Sequence, residues 1–545
     1  MKIVWLDLNC SYSHSSLALP AIHAQVMDKK EMEWAVVTGS IAEYPGRMVA
    51  EACSLSPDIV LATAWLFNHE LLLHIVSRLK ALMPACVVAL GGPEFLGDNG
   101  RYLRTYPFID CVFRGEGEES VPQWLSVWDC MDEWSHVKGL CYMDKDGYHD
   151  NGLARVRRFD SLMPPESSPF FRWDKPFIQI ETVRGCFNTC SFCVSGGEKP
   201  VRTLPLTAVK RRLDNAFCRG VKDVRLLDRT FNASSHRTIA MLELLSAYAP
   251  QMRFHVEVHP ALLTEDVRKA LRSLPHGLLH VEAGIQSLRQ EVLDGCGRKG
   301  SLEMSLEGLR FLCSLPNMVT HADLIAGLPR YTYQALLEDV CTLASYHAGE
   351  IQLESLKVLP GTAMRRHAAE WGMSYAPFPP YEVLRTPQWT PTELQKAARL
   401  SRMLDLFYNT SAWQDLMRRL MVSDRTFLSS FQAYLEERNL HDVSMSVEKR
   451  GLVLFEYCSS YRPSFLISAT MAWIEAGMSL KKKPAVRVRT KHVQPPVHWT
   501  VEYGIYHPSL RLCFLPAGAD GGWWFGFDAG TQNPVPVFKA FSWGT

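Results

Sequence analysis

Five strand-length apolar runs, near 2 to 8, 33 to 38, 58 to 63, 86 to 90 and 109 to 113, are each followed by a helical pattern such as His69 to Leu82. Strands separated by helices pair in parallel, and a parallel sheet must be covered on both faces, so this alternation predicts a doubly wound α/β domain over residues 1–130. A second series follows near 177 to 183, 222 to 227, 252 to 258, 278 to 285, 319 to 326 and 351 to 358, giving six strand–helix units over 176–365. Residues 131–175 between them read as a linker, with a hairpin around Asp146-Gly147 inside Leu140–Tyr148 and an extended stretch Met163–Pro169. Residues 366–545 read as an α+β accessory region, helical to about 480 (for instance Leu394 to Leu420) and β-rich beyond.

The first strand of the second series leads into Arg184-Gly-Cys-Phe-Asn-Thr-Cys-Ser-Phe-Cys193. This C-x3-C-x2-C run offers the thiolates of Cys186, Cys190 and Cys193 to a four-iron four-sulfur cluster, which takes one ligand per iron and so keeps one iron open. Structural zinc is the rival reading, but it closes with four ligands, and the next Cys or His is Cys218.

The same run resembles the signature of the radical S-adenosylmethionine (SAM) enzymes, in which an aromatic residue, here Phe192, precedes the third cysteine. The resemblance implies that SAM chelates the open iron, that one electron from a reductant such as flavodoxin or ferredoxin splits it, and that a 5′-deoxyadenosyl radical abstracts a hydrogen atom. It also implies a partial (β/α)6 barrel with its site at the carboxyl ends of the strands. Carried over on that basis to SAM are Gly196 and Gly197 after the cysteines, Asp228, Glu257, the segment Glu282, Gln286 and Ser287 for the SAM ribose, Arg298 for the SAM carboxylate with a solvated loop as its alternative, and Ile325 against adenine. A carboxylate at a strand end also has a plainer use, capping the next helix, and that alternative stands for Asp228 and Glu257.

The four loops after the N-terminal strands, Asn9–His14, Leu61–Asn68, Gly91–Glu94 and Arg114–Glu118, resemble those of the Rossmann-like cobalamin-binding domain that precedes the barrel in one subgroup. The resemblance assigns Ser13, His14, Thr63, Ala64, Trp65, Gly91, Gly92, Pro93, Glu94, Gly115 and Glu116 to cobalamin. The Asp-x-His-x-x-Gly motif is missing, which implies base-off binding with Thr63, Ala64 and Trp65 along the lower face. His14 has an alternative use, packing within its own loop.

Composition removes whole classes of function. With 47% hydrophobic and 21% charged residues among 545, the chain is ordinary globular protein. Its 58 Lys plus Arg against 57 Asp plus Glu leave a charge of +1, so no global field favours nucleic acid or a membrane surface. Fifteen cysteines without an export signal suit a reducing, cytoplasmic setting, and no run approaches the roughly 18 apolar residues of a bilayer span. In Val486-Arg-Val-Arg-Thr-Lys491, strand alternation puts Arg487, Arg489 and Lys491 on one face beside Lys481–Lys483; this reads as a solvated face ahead of a surface for a phosphate-bearing or acidic partner. Trp499, Trp523, Trp524 and Trp543 read as packing.

The expected function is a cobalamin-dependent methylation of an unactivated carbon or phosphorus centre in a small-molecule or peptide substrate, the methyl arriving through methylcobalamin. A non-methylating rearrangement or ring contraction is the alternative. More distant are a cobalamin sensor and a tRNA methylthiotransferase. The latter needs a second cluster, for which Cys10, Cys53 and Cys86, spaced 43 and 33 residues apart, are candidates.

Overall fold

The computed structural model describes residues 1–11 and 13–478, with the backbone alone of 489–490, 510–516 and 522–528. The chain divides into two compact units, one of Met1–Thr332 with Ser355–Leu394 and the other of Tyr333–Glu354 with Gln395–Thr545.

The first unit opens with strands β1 (Lys2–Asn9), β2 (Glu33–Ser40), β3 (Ile59–Thr63), β4 (Val87–Gly91) and β5 (Cys111–Phe113), all parallel, separated by helices α1 (Ala18–His23), α2 (Pro45–Ser54), α3 (His69–Leu82) and α4 (Gly100–Thr105). Side chains alternate across the sheet, and both sets are apolar. Val4, Leu6, Val60, Val88 and Leu90 pack under α2 and α3 with Val49, Leu72, Ile75 and Leu79. Ile3, Trp5, Leu61, Ala89 and Phe113 face α1 and α5 (Gly117–Leu125) with Leu19, Ile22 and Val121. Burial on both faces is why these strands read as nearly continuous apolar runs.

The expected hairpin forms, as β6 (Leu140–Asp144) and β7 (Gly147–Asp150), but it is part of the sheet rather than of a linker. It adds antiparallel to β5, giving the order β2-β1-β3-β4-β5-β6-β7. Cys141 and Tyr142 are buried there, and Arg114 pairs with Asp150 at 2.7 Å.

The second sheet of this unit holds β8 (Ile178–Ile180), β11 (Asp223–Leu226), β12 (Arg253–Val258), β13 (Leu279–Gln286) and β14 (Val319–Ala326), adjacent in that order and parallel wherever paired. A short antiparallel ribbon, β9 (Val183–Arg184) with β10 (Arg202–Thr203), flanks the cysteine loop. Helices α6 (Leu206–Cys218), α7 (Ser235–Ser246), α8 (Glu265–Arg272), α9 (Gln290–Gly295) and α10 (Leu302–Ser314) lie between the strands. The period of two sends Val224, Leu226, Val256, Val281, Ala283 and Leu324 into the buried layer. On the opposite face the same strands carry Arg225, His255, Glu257, His280, Glu282 and Asp323, so the inner surface of this partial barrel is polar.

The second unit contains the sixth expected strand, Glu350–Ser355 up to its last residue, and a helical body of Ser411–Ser423, Phe427–Glu437, Val447–Tyr461 and Leu466–Glu475. The single helix expected over Leu394 to Leu420 is interrupted, since Pro391–Met403 runs into a wider turn at Leu404–Tyr408 before Ser411 restarts it. Phe407, Phe427, Phe431 and Tyr457 form its aromatic centre. Three short antiparallel strands follow at Arg489–Thr490, Leu510–Pro516 and Gly522–Asp528. Lys481–Lys483, Arg487, Lys491, Trp499 and Trp543 lie outside the described residues, as do the side chains of Arg489, Trp523 and Trp524. Among the described residues no helix is long and apolar enough to cross a membrane.

Candidate active site

Cys186, Cys190 and Cys193 line one cavity of about 150 Å³ at the carboxyl ends of β11–β14. The loop that holds them is closed by backbone bonds, Cys186 N–H to the Glu198 carbonyl at 3.1 Å and Gly197 N–H to the Asn188 carbonyl at 2.8 Å. Gly196 is required by close approach, since a Cβ there would stand 2.2 Å from the Cys190 carbonyl oxygen and 3.0 Å from that of Cys193. Burial pushes the Cys190 and Cys193 thiols up, opposed by Arg298 at the first and by Ser195 N–H and Arg229 at the second. Metal binding requires the thiolates, so these cationic neighbours favour loading.

The strand ends supply the rest of this cavity. Phe192, Gly196, Glu257, Glu282, Gln286, Arg298 and Asp323 all line it. Arg298 donates through Nη2 to the Gly284 carbonyl and reaches Cys190 Sγ from Nη1 at 3.8 Å, which ties α9's trailing loop to the second cysteine. Gln286 has φ +71° at a β-bulge against β14, and this turns its side chain toward the cavity. Glu282 accepts from His255 Nε2 at 2.9 Å, and that bond holds its carboxyl below the usual range. Asp323 is pushed well above it by burial and by the Glu282 charge, so the two carboxyls share a proton. Burial raises Glu257 to about 7. Asn188 Nδ2, His259 Nδ1 and Asp323 Oδ1 belong to residues lining this cavity and have no protein partner. Three thiols beside unmet donors and acceptors fit a cluster carrying a small polar, zwitterionic ligand.

Asp228 is not part of that lining. It is 1% exposed, and its carboxylate accepts from Thr182 N–H and Val183 N–H, both at 2.8 Å, and from the Thr182 hydroxyl. It braces the end of β8 just before the cysteine loop, so the SAM amino group read from sequence is replaced by backbone donors. Ser287 is fully buried and Ile325 half-buried, and neither lines the cavity. Gly197 adopts φ +77° and shapes the loop, also off the lining.

A second cavity, of about 320 Å³, is lined by Thr63, Trp65, Gly91, Gly92, Pro93, Gly115 and Glu116, and by Ser195, Glu198 and Arg229 from the barrel. Its inner wall is the sheet face of Trp5, Leu61, Ala89 and Phe113, roofed by Ala18 and Ile22 of α1 and Val121 of α5. The loops approach closely at Gly92, where φ is +112° and a Cβ would meet the Ala64 carbonyl at 2.6 Å. Glu116 is engaged by Arg202 at 2.6 Å and by the Val156 N–H, which makes it an ion-pair anchor between this domain and the barrel. Arg184 joins the same network, to Glu118 at 2.5 Å and Glu181 at 2.8 Å.

Four residues expected at the corrin lie elsewhere. Ala64 is fully buried with its N–H on the Gly91 carbonyl at 2.7 Å. Glu94 is buried under the Tyr381 hydroxyl, which donates to it. His14 takes its alternative, with Nδ1 2.7 Å from Ser11 Oγ and its ring edge-on to Phe177 at 5.3 Å, and Ser13 beside it is likewise off the lining. Reading the loops alone also misses the apolar slot behind them and Arg229, which alone among the lining residues borders both cavities.

Cys10, Cys53 and Cys86 do not converge. Ile3, Ile59 and Val87 are level across the parallel strands, so Cys86 sits at the amino edge of the sheet and Cys10 at the carboxyl edge. Eight residues of strand separate the two levels, roughly 26 Å at 3.3 Å per residue. One cluster cannot take both.

Residues 180–340 match the model of the radical SAM superfamily, and residues 369–472 match one described as a protein of unknown function (DUF4080). The chain is 25% identical over 280 residues to a tRNA-2-methylthio-N(6)-dimethylallyladenosine synthase of Psychrobacter arcticus, covering 49% of this chain and 53% of that protein. It is 26% identical over 280 residues to one of Saccharophagus degradans, covering 48% and 57%. The chain thus spans about half the length of the curated relatives it matches. Among solved structures it is similar to the radical SAM methyltransferase TsrM of Kitasatospora setae, solved with cobalamin and a [4Fe-4S] cluster (TM-score 0.55, 17% identity, 73% of this chain and 81% of that one). It is also similar to the cobalamin-dependent radical SAM enzyme OxsB (TM-score 0.61, 13% identity, 87% and 79%). Residues 180–340 are therefore a radical SAM domain, and the chain shares the fold of these two enzymes.

Proposed function

We propose that this chain is a cobalamin-dependent radical SAM enzyme that methylates an unactivated carbon or phosphorus centre. The observation that carries the reading is the meeting of two cavities, one bearing three cysteines and one backed by a Rossmann-type sheet, at a single residue, Arg229. When bound, the cluster with SAM supplies a hydrogen-abstracting 5′-deoxyadenosyl radical and the corrin supplies a methyl group. The protein's part is holding and orienting. Cys186, Cys190 and Cys193 would hold the cluster, and Arg298 bonded to Gly284 fixes the wall beside Cys190. Glu282, oriented by His255 and bonded to Asp323, would present acceptor oxygens, the unpartnered Asp323 Oδ1 among them, to the SAM ribose hydroxyls. Gly91, Gly92 and Gly115 would let backbone approach a corrin, and Trp5, Leu61 and Phe113 would offer it an apolar wall.

A tRNA methylthiotransferase is the second reading, favoured by the relatives matched in sequence. It lacks a place for the second cluster on Cys10, Cys53 and Cys86. The test is anaerobic reconstitution with methyl-labelled SAM and hydroxocobalamin, scored on cell extract fractions as acceptors. Label in a methylated product with cobalamin retained supports methylation, and deoxyadenosine with unlabelled product supports the rearrangement instead. About eight irons per chain and a thiomethylated tRNA would establish the second reading.

A further inference from the structure

Arg229 is held on both sides. The residue before it, Asp228, is pinned by the Thr182 and Val183 N–H groups, and two residues after it the Phe231 N–H donates to the Glu257 carbonyl at 2.8 Å. The side chain itself is 51% exposed, and its one ion pair among the described residues, to Glu257 at 3.9 Å, is too long for a hydrogen bond. A guanidinium fork is thus presented on a fixed loop, at the border of both cavities, with its donors unspent. Such a fork matches the paired oxygens of a carboxylate or of a tetrahedral phosphorus oxyanion.

We infer that Arg229 selects the substrate, and that the substrate presents a carboxylate or a phosphinate- or phosphonate-like oxyanion at the junction of the two cavities. The inference rests on the reading above in placing the substrate at that junction. The same chemistry is offered by the SAM carboxylate, and the test separates the two sources.

Full-length chain, reconstituted anaerobically and chemically reduced, is titrated with inorganic phosphate as the probe. Phosphorus NMR relaxation is followed, because the paramagnetic reduced cluster accelerates it only for phosphate bound nearby. Wild type should show saturable enhancement, retained at a saturating level of a SAM analogue that the reduced cluster does not cleave. Arg229→Gln should weaken the apparent affinity about tenfold or more, with Arg229→Lys between them. Cluster absorbance in each variant checks that the loop is intact. Enhancement that survives Arg229→Gln, or its absence from wild type with a full cluster, overturns the inference. So does displacement of phosphate by that analogue, which would give Arg229 to the SAM carboxylate. Cobalamin retention is read in the same samples, so Arg229-dependent phosphate binding without retained cobalamin overturns the functional reading and leaves the anion site standing.

Discussion

Gly196 and Gly197 are neighbours, and the structure predicts opposite outcomes when each becomes alanine. At Gly196 the new Cβ would sit 2.2 Å from the Cys190 carbonyl, where real Cβ atoms do not come within 3.0 Å of a neighbour, so the loop must open by about 0.8 Å. Both obstructing atoms are backbone of cysteines, and metal–ligand distances tolerate only about 0.2 Å. The thiolates of Cys190 and Cys193 would be carried out of range of their irons. At Gly197 the obstacle is different in kind: φ is +77°, but the only heavy atom near a Cβ is Thr189 Cγ2 at 3.9 Å. Alanine there carries left-handed strain of about 1–2 kcal/mol and leaves the sulfurs in place. The assay is iron and sulfide per chain after anaerobic reconstitution. Gly196→Ala should fall far below the about four irons of a full cluster, and Gly197→Ala should keep them. A Gly196→Ala protein with a full cluster, or the reverse order of the two variants, would show that the approach of Gly196 to the Cys190 carbonyl does not set the positions of the sulfurs.

Asp228→Ala orphans the buried Thr182 and Val183 N–H groups, at about 1–3 kcal/mol each, and should lower the first thermal transition, while Asp228→Asn keeps an acceptor and loses less. Loss in both variants of SAM binding with no thermal shift would return Asp228 to the role read from sequence. Glu257 titrates at about 7 in the folded protein because burial disfavours its charge, so the stability its neutral form contributes is present below pH 4.5 and lost as pH rises through 7. Cluster-free Glu257→Gln should therefore match wild type at pH 4 and melt higher than it at pH 8, and equal melting at both would place the carboxyl in water.

The alternation of strands was legible because parallel strands buried on both faces leave long apolar runs. The destination of the β6–β7 hairpin was not, since its turn signal is local and its pairing to Cys111–Phe113 is not. The cysteine loop was legible because metal ligation fixes spacing. Asp228 misled because a carboxylate at a strand end looks the same whether it faces a ligand or the backbone of the preceding strand. The apolar slot is invisible in sequence, as Trp5, Leu61, Ala89 and Phe113 are indistinguishable from ordinary core. Arg229 carried a usable signal: it lies in Leu227–Asn232, a strand end that a search for carboxylates passes over.

Two cofactors meeting within one chain would couple magnetically, and magnetic resonance reads that directly. Full-length protein with reconstituted cluster and bound cobalamin, both reduced to paramagnetic states, should give signals broadened or split by mutual spin coupling, and replacing all three cysteines by alanine should restore an isolated cobalamin signal. Cobalamin that is not retained, or that is retained with a signal indifferent to the cluster, would show that the two cofactors do not meet in this chain.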